Sequence, residues 1–180
     1  MPHVIVVDAC VARSASESQD PTASRCRQVL DGIDQHGHKL AMSKPLQDEW
    51  FKSASSHGEP YIQYASMYAL HWFVKMRTVR RIEWVELDSV EDVSLRILAA
   101  TSDARRPRVE KDLHLVETAL ASDRRIISHD GTAKEDFTDI GQTVNELCEI
   151  LWLDPTNSPV WQWLQSGAPD RTEFRLCAMP

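Results

Sequence analysis

The stretch Glu110 to Asp130, EKDLHLVETALASDRRIISHD, decides how the rest of the chain is read. Leu113, Val116, Ala119 and Leu120 follow the i, i+3, i+6, i+7 recurrence of one helix face, and Ile126-Ile127 is a short apolar run. A helix feeding a strand is therefore expected, with the break at Ala121-Ser122-Asp123 and a buried strand over Arg125 to Ser128. Asp130 then falls just past the carboxyl end of that strand, the edge at which open parallel sheets bind ligands. Asp112, expected in the first turn of the helix, is a second acid that could face the same crevice.

Working outward, His3 to Asp8 (HVIVVD) is a continuous apolar run ending in an acid, the form of a strand buried on both faces of a parallel sheet. Asp8 thus takes the same kind of place as Asp130. An unpaired carboxylate in such surroundings is costly to bury, so scaffolding explains it poorly. Asp20-Pro21-Thr22 suits a helix start, and Ser24 to Gln35 reads as a helix with Cys26, Val29, Leu30 and Ile33 inward, closed by Gly37. Lys39 to Met42 is a second strand, after which Ser43 caps a helix with Pro45 in its first turn. That helix carries Leu46, Trp50 and Phe51 on its apolar side; Glu49 flanks the stripe and Asp48 faces solvent.

Tyr61 to Arg81 has the spacing of a long amphipathic helix, kinked or split, whose aromatics belong to core or interface. An extended piece over Ile82 to Leu87 follows, then a helix over Ser89 to Ala100 capped by Asp88 or Ser89, with Val93, Leu95, Ile97 and Leu98 inward. Beyond Asp130, Thr132 is expected to cap a short helix, and Glu149 to Leu153 to form the last strand. Strands alternating with helices imply a three-layer α/β/α sandwich with a central, mainly parallel sheet. The expected organisation is one domain over residues 1–155, with a helical insertion at 59–88, and an appendage over 156–180.

The 180 residues carry a formal charge of -7, with 42% hydrophobic and 26% charged residues, the balance of a water-soluble globular domain. No apolar run approaches the roughly 20 residues of a spanning helix, and the start lacks signal-peptide character. The four cysteines, Cys10, Cys26, Cys148 and Cys177, form no C-x-x-C pair and are expected as reduced thiols of a cytoplasmic protein. The acidic total argues against holding nucleic acid by bulk electrostatics. Arg105, Arg106, Arg108 and Lys111, beside Asp112, are nevertheless placed to contact a phosphate. Arg77, Arg80 and Arg81 read as a solvated face.

A strand ending in Asp8, then Ser43 and Glu49 on the next helix, then Asp112 on a helix whose following strand ends in Asp130 resembles the PIN domain family of metal-dependent nucleases, over nearly all of residues 1–153. The resemblance implies a divalent-metal ribonuclease, in some members the toxin of a toxin-antitoxin pair. Asp8, Glu49, Asp112 and Asp130 would hold Mg2+ or Mn2+, Asp136 would stand loosely for a further acid, with Glu135 as its rival, and RNA would be the partner, with an antitoxin possible.

Clustered carboxylates repel, so without metal at least one should have a raised pKa. Hard oxygen donors suit magnesium, and no histidine or cysteine is expected to join them. His129 is read as packing or surface. Two rival readings are a catalytically inactive binding or scaffold module of the same fold, and a phosphatase. The latter rests on Asp130-Gly131-Thr132, which resembles the end of the DxDGT signature of haloacid-dehalogenase-like enzymes but has Ser128 where their nucleophile stands. Trp72, Phe73 and the tail tryptophans could build a homodimer surface.

Overall fold

The computed structural model describes residues 2–51 and 65–178. Five strands, β1 (Val4–Val7), β2 (Lys39–Met42), β3 (Ile82–Trp84), β4 (Arg125–Ile127) and β5 (Leu151–Leu153), form one sheet in the order β3-β2-β1-β4-β5. All neighbours are parallel, in registers such as Val6↔Ala41, Val6↔Ile126, Leu40↔Ile82 and Ile127↔Leu153. The sheet is covered on both faces, so Ile5, Val6, Val7, Leu40, Ala41, Ile126 and Ile127 are fully buried.

Helices connect the strands: α1 (Ala9–Ser14), α2 (Pro21–Gln35), α3 (Lys44–Trp50), α4 (Met67–Thr78), α5 (Glu91–Ala100), α6 (Arg106–Leu120), α7 (Gly131–Gly141) and α8 (Val160–Gln165). The chain steps from β1 to β2 to β3 in one direction, then returns through α5 and α6 to place β4 on the other side of β1. Because such crossovers are right-handed, the reversal puts α2 and α4 on one face of the sheet and α6 and α7 on the other. The three-layer α/β/α sandwich expected from the strand–helix alternation is the fold observed.

Local chemistry fixes most element starts. Asp20 accepts from the Thr22 and Ala23 amides and is followed by Pro21, Ser43 accepts from Leu46, and Ser66 from Ala69. Gly37, just past α2, has φ +79°, a conformation that costs glycine nothing. Several expectations are corrected. The helix before β4 begins at Arg106, so Asp112 lies in its second turn rather than its first. The cap of α7 is Asp130, which accepts from the Ala133 amide, and not Thr132. Leu95 is exposed on α5, while Ile97 is buried. Of the Tyr61–Arg81 expectation, Met67–Thr78 is helical, and residues 61–64 lie outside those described.

The segment 59–88 contributes α4 and the edge strand β3 to the sandwich, and the tail contributes Val160, Trp163, Leu164 and Leu176 to the same core as the sheet. Trp72, Phe73 and Trp163 are core residues too, at 6% exposure or less, so burial inside the protomer accounts for them without a dimer surface. Among the described residues no helix is long and apolar enough to cross a membrane.

The expectation of four reduced thiols is also corrected. Cys148 and Cys177 are joined in a disulfide, while Cys10 and Cys26 are free and buried. The two partners are 29 residues apart in sequence. Only the tertiary path, in which the tail returns along β5 through the Leu176 amide to the Ile150 carbonyl at 2.8 Å, brings them together.

Candidate active site

Strand order reverses between β1 and β4, and the crevice beyond the carboxyl ends of strands at such a switch point is the binding position of open α/β sheets. Asp8 and Asp130 follow these two strands. Asp8 is 5% exposed. Its Oδ1 accepts from the Cys10 amide at 3.0 Å, and its Oδ2 accepts from the Ser128 hydroxyl at 2.5 Å and the Cys10 thiol at 3.1 Å. The Asp130 amide in turn donates to Ser128 Oγ at 3.0 Å. Ser128 thus ties the two strand ends together, supported by the Asp8 amide donating to the Ile127 carbonyl at 3.1 Å.

Asp112 arrives from α6. It shares the helix face of Val109, Val116 and Ala119, standing between Val109 and Val116 in the amino-terminal half of α6. Its carboxyl is held above the usual aspartate range. Burial is the largest cause; Lys111, whose Nζ lies 3.1 Å from Asp112 Oδ1, opposes it, and Asp130 and Asp8 add to it by like-charge repulsion. Asp8 and Asp130, distant in sequence, thus both lie close enough to Asp112 to raise its carboxyl.

Glu49 of α3 is held by a histidine of α6. Trp50 is completely buried and its indole N–H donates to the carbonyl of Val7 at 3.0 Å, which pins α3 against the end of β1. Its neighbour Glu49, 9% exposed, accepts from His114 Nε2 at 2.8 Å, and His114 is two residues beyond Asp112 on α6. Thr118 of the same helix donates to Ser43 Oγ at 2.7 Å.

A histidine and a cysteine hydrogen-bond to two of the acids. His114 orients Glu49, and Cys10 donates its thiol proton to Asp8. The Cys10 thiol is pushed far above its ordinary value by burial and by the Asp8 charge, so it serves as a donor and not as a soft thiolate. His129 packs on α1, its Nε2 3.1 Å from Ser14 Oγ and 3.2 Å from the Cys10 carbonyl.

Asp136, expected as a further metal ligand, is 4% exposed and its two oxygens accept from Arg108 Nε and Nη2, both at 3.0 Å, with Arg105 Nε at 3.6 Å. This bidentate pairing joins α6 to α7 and accounts for the buried charge. The basic cluster is likewise engaged within the chain: Arg105 with Asp139, Arg106 with the Leu98 carbonyl and Glu110, Lys111 with Asp112. Each keeps a partly exposed side chain.

Repulsion at this edge has a measurable consequence. The folded state holds the Asp112 proton to higher pH than the unfolded chain does, so stability falls as pH rises from the ordinary aspartate range through the raised value. Asp112→Asn is expected to remove that slope and, at neutral pH, to raise the melting temperature. Calorimetric melts of both proteins across pH 4–8, in chelator, check it, and a lower melting temperature for the variant would contradict the repulsion.

Fold and site together define a parallel α/β/α protein in which Asp8 and Asp130 follow the two strands at its topological switch point. No family model, curated protein or solved structure compared with the chain gives a significant match.

Proposed function

We propose that this protein is a divalent-metal-dependent endoribonuclease that hydrolyses RNA phosphodiester bonds at the Asp8, Asp112 and Asp130 edge. The observation carrying this reading is the raised Asp112 carboxyl, set beside two further aspartates that come from the ends of two neighbouring strands. Natural folds rarely tolerate such mutual repulsion without a role for it.

The donors are carboxylate oxygens, and the one thiol among them is kept protonated by burial, a set that fits Mg2+ or Mn2+. Asp8, Asp112 and Asp130, with Glu49, would hold the ion. When bound it supplies an activated water and offsets charge on the phosphorane oxygens. Ser128 and the Cys10 thiol hold Asp8 Oδ2 in place, His114 holds Glu49, and Lys111 with the exposed parts of Arg105, Arg106 and Arg108 gives the RNA phosphates cationic contacts. A toxin role with an antitoxin partner belongs to the same reading as what the family resemblance implies; a homodimer would rest instead on the aromatic content of the chain. The cytoplasmic location expected from reduced cysteines loses that support, because disulfides persist mainly in oxidising compartments and Cys148 and Cys177 are bonded.

A second reading, a catalytically inactive binding or scaffold module, has one observation in its favour: among the described residues no three His, Cys, Asp or Glu side chains form a ready-made metal cage. Incubating the purified protein with assorted RNAs in MgCl2, in MnCl2 and in EDTA decides between them. Internal cleavage that appears with either metal and vanishes with EDTA is expected. Intact RNA throughout, with no heat of Mn2+ binding by calorimetry, would leave the scaffold.

A further inference from the structure

A cavity of about 560 Å3 opens between α2, the 155–159 loop after β5 and the first turn of α8, and it shares no lining residue with the carboxylate edge. That volume lies within the range of small-ligand sites. One wall is the half-buried indole of Trp161. The ring lies close against α2 because residue 32 is glycine: a Cβ there would sit 3.3 Å from the indole and 2.8 Å from Leu164. His36, whose buried Nε2 has no hydrogen-bond partner, meets the same ring edge to face, with centroids 5.2 Å apart at 71°. Two rings in such a T-shaped arrangement attract with a preferred geometry. Trp161 is therefore held in one orientation before any ligand arrives.

The polar lining has a consistent chemistry. Gln28, Asn157 and Gln162 present carboxamides, each both donor and acceptor. Asn157 is steadied by donating to Asp154 Oδ2 at 2.9 Å. Asp31 uses Oδ1 to accept from the Tyr68 hydroxyl at 2.6 Å, so its carboxylate position is set. Arg25 donates through Nη1 to the Thr156 carbonyl, which fixes the guanidinium at the rim and leaves its other N–H groups to bind an anion. An aromatic wall, edge-reading amides, an acceptor carboxylate and a rim cation together suit a flat heteroaromatic ring that carries a phosphate. A neutral sugar could use the indole and the amides but would leave the guanidinium without a counter-charge.

We propose that this cavity is a subsite for one unpaired nucleotide of RNA, with the base against Trp161 and the phosphate toward Arg25. It deepens and rests on the ribonuclease reading, because single-stranded RNA is recognised by splayed bases stacked on aromatic side chains and read at their edges. The donor-rich edge of guanine suits Asp31, so guanosine 5′-monophosphate is the probe.

The test is calorimetric titration of the full chain, in EDTA so that the carboxylate edge holds no metal, with guanosine 5′-monophosphate, guanosine and methyl glucoside. Saturable binding of the nucleotide is expected, weaker for guanosine and absent for the glucoside. Trp161→Ala should weaken the nucleotide about five- to 150-fold, the loss of one base stack. Arg25→Gln, a change at an exposed position, should bring the nucleotide down to guanosine while leaving guanosine unchanged. No nucleotide binding to the wild type, binding that neither variant alters, or a preference for the glucoside overturns the subsite. Nucleotide binding without RNA cleavage would sink the ribonuclease reading alone, and cleavage without nucleotide binding would sink the subsite alone.

Discussion

Asp8→Asn is expected to lower metal-dependent RNA hydrolysis by at least about a hundredfold, since an ion's stabilisation of the transition state amounts to several kcal/mol and each 1.4 kcal/mol is a factor of about ten. The substitution is nearly isosteric, and its neighbours can accommodate it. The Asn side-chain carbonyl still accepts from the Cys10 amide, and the new NH2 can donate to Ser128 Oγ once that hydroxyl turns, because a hydroxyl oxygen has two acceptor positions and the Asp130 amide occupies one. Removing a negative charge also eases the strain on Asp112. The melting temperature should therefore stay near that of the wild type while cleavage collapses, a separation that a merely structural Asp8 would not produce. Gel-resolved cleavage rates in MnCl2 beside thermal melts provide the measurement. Equal cleavage by wild type and an Asp8→Asn, Asp130→Asn double variant would mean that a contaminating nuclease does the cutting, and the assignment would fall.

Loss of the Cys148–Cys177 bond should produce the largest change in stability. Closing a loop of this length removes entropy from the unfolded chain equivalent to about 3–4 kcal/mol, so Cys177→Ser, or dithiothreitol treatment of the wild type, is expected to lower the melting temperature by roughly 10 °C. The disulfide sits on Gly141, the last residue of α7, where a Cβ would lie 2.5 Å from Cys177 Sγ and 3.2 Å from Cys148 Sγ. Gly141→Ala must therefore displace one or both sulfurs. It should destabilise the oxidised protein by more than the reduced one, because a released Cys177 can move aside. Melts of both proteins with and without dithiothreitol give the four values needed, and equal penalties in the two redox states would contradict this packing.

The sequence by itself determined the sandwich and its acid-bearing edge. Runs such as Val4 to Val7 have no polar face to present, so they demand cover on both sides, and strand–helix alternation with that demand leaves few arrangements besides a parallel sheet. Asp8 and Asp130 were legible because each ends such a run. Other features depend on positions in space that local pattern does not encode. The partnership of Glu49 with His114 joins two helices 65 residues apart, and Ser128 acquires its role only when β4 pairs beside β1. A Ser two residues before Asp130 was the one available signal for it. Asp136 shows the converse: its sequence position suits a ligand, but Arg108 and Arg105 fold onto it. The disulfide was invisible for the same reason, since spacing identifies zinc or redox pairs only when both cysteines lie in one local motif. Pattern along the chain reports which groups must be buried or exposed; which partner each buried polar group finds is decided when the layers close, because hydrogen bonds and ion pairs act only over a few ångströms.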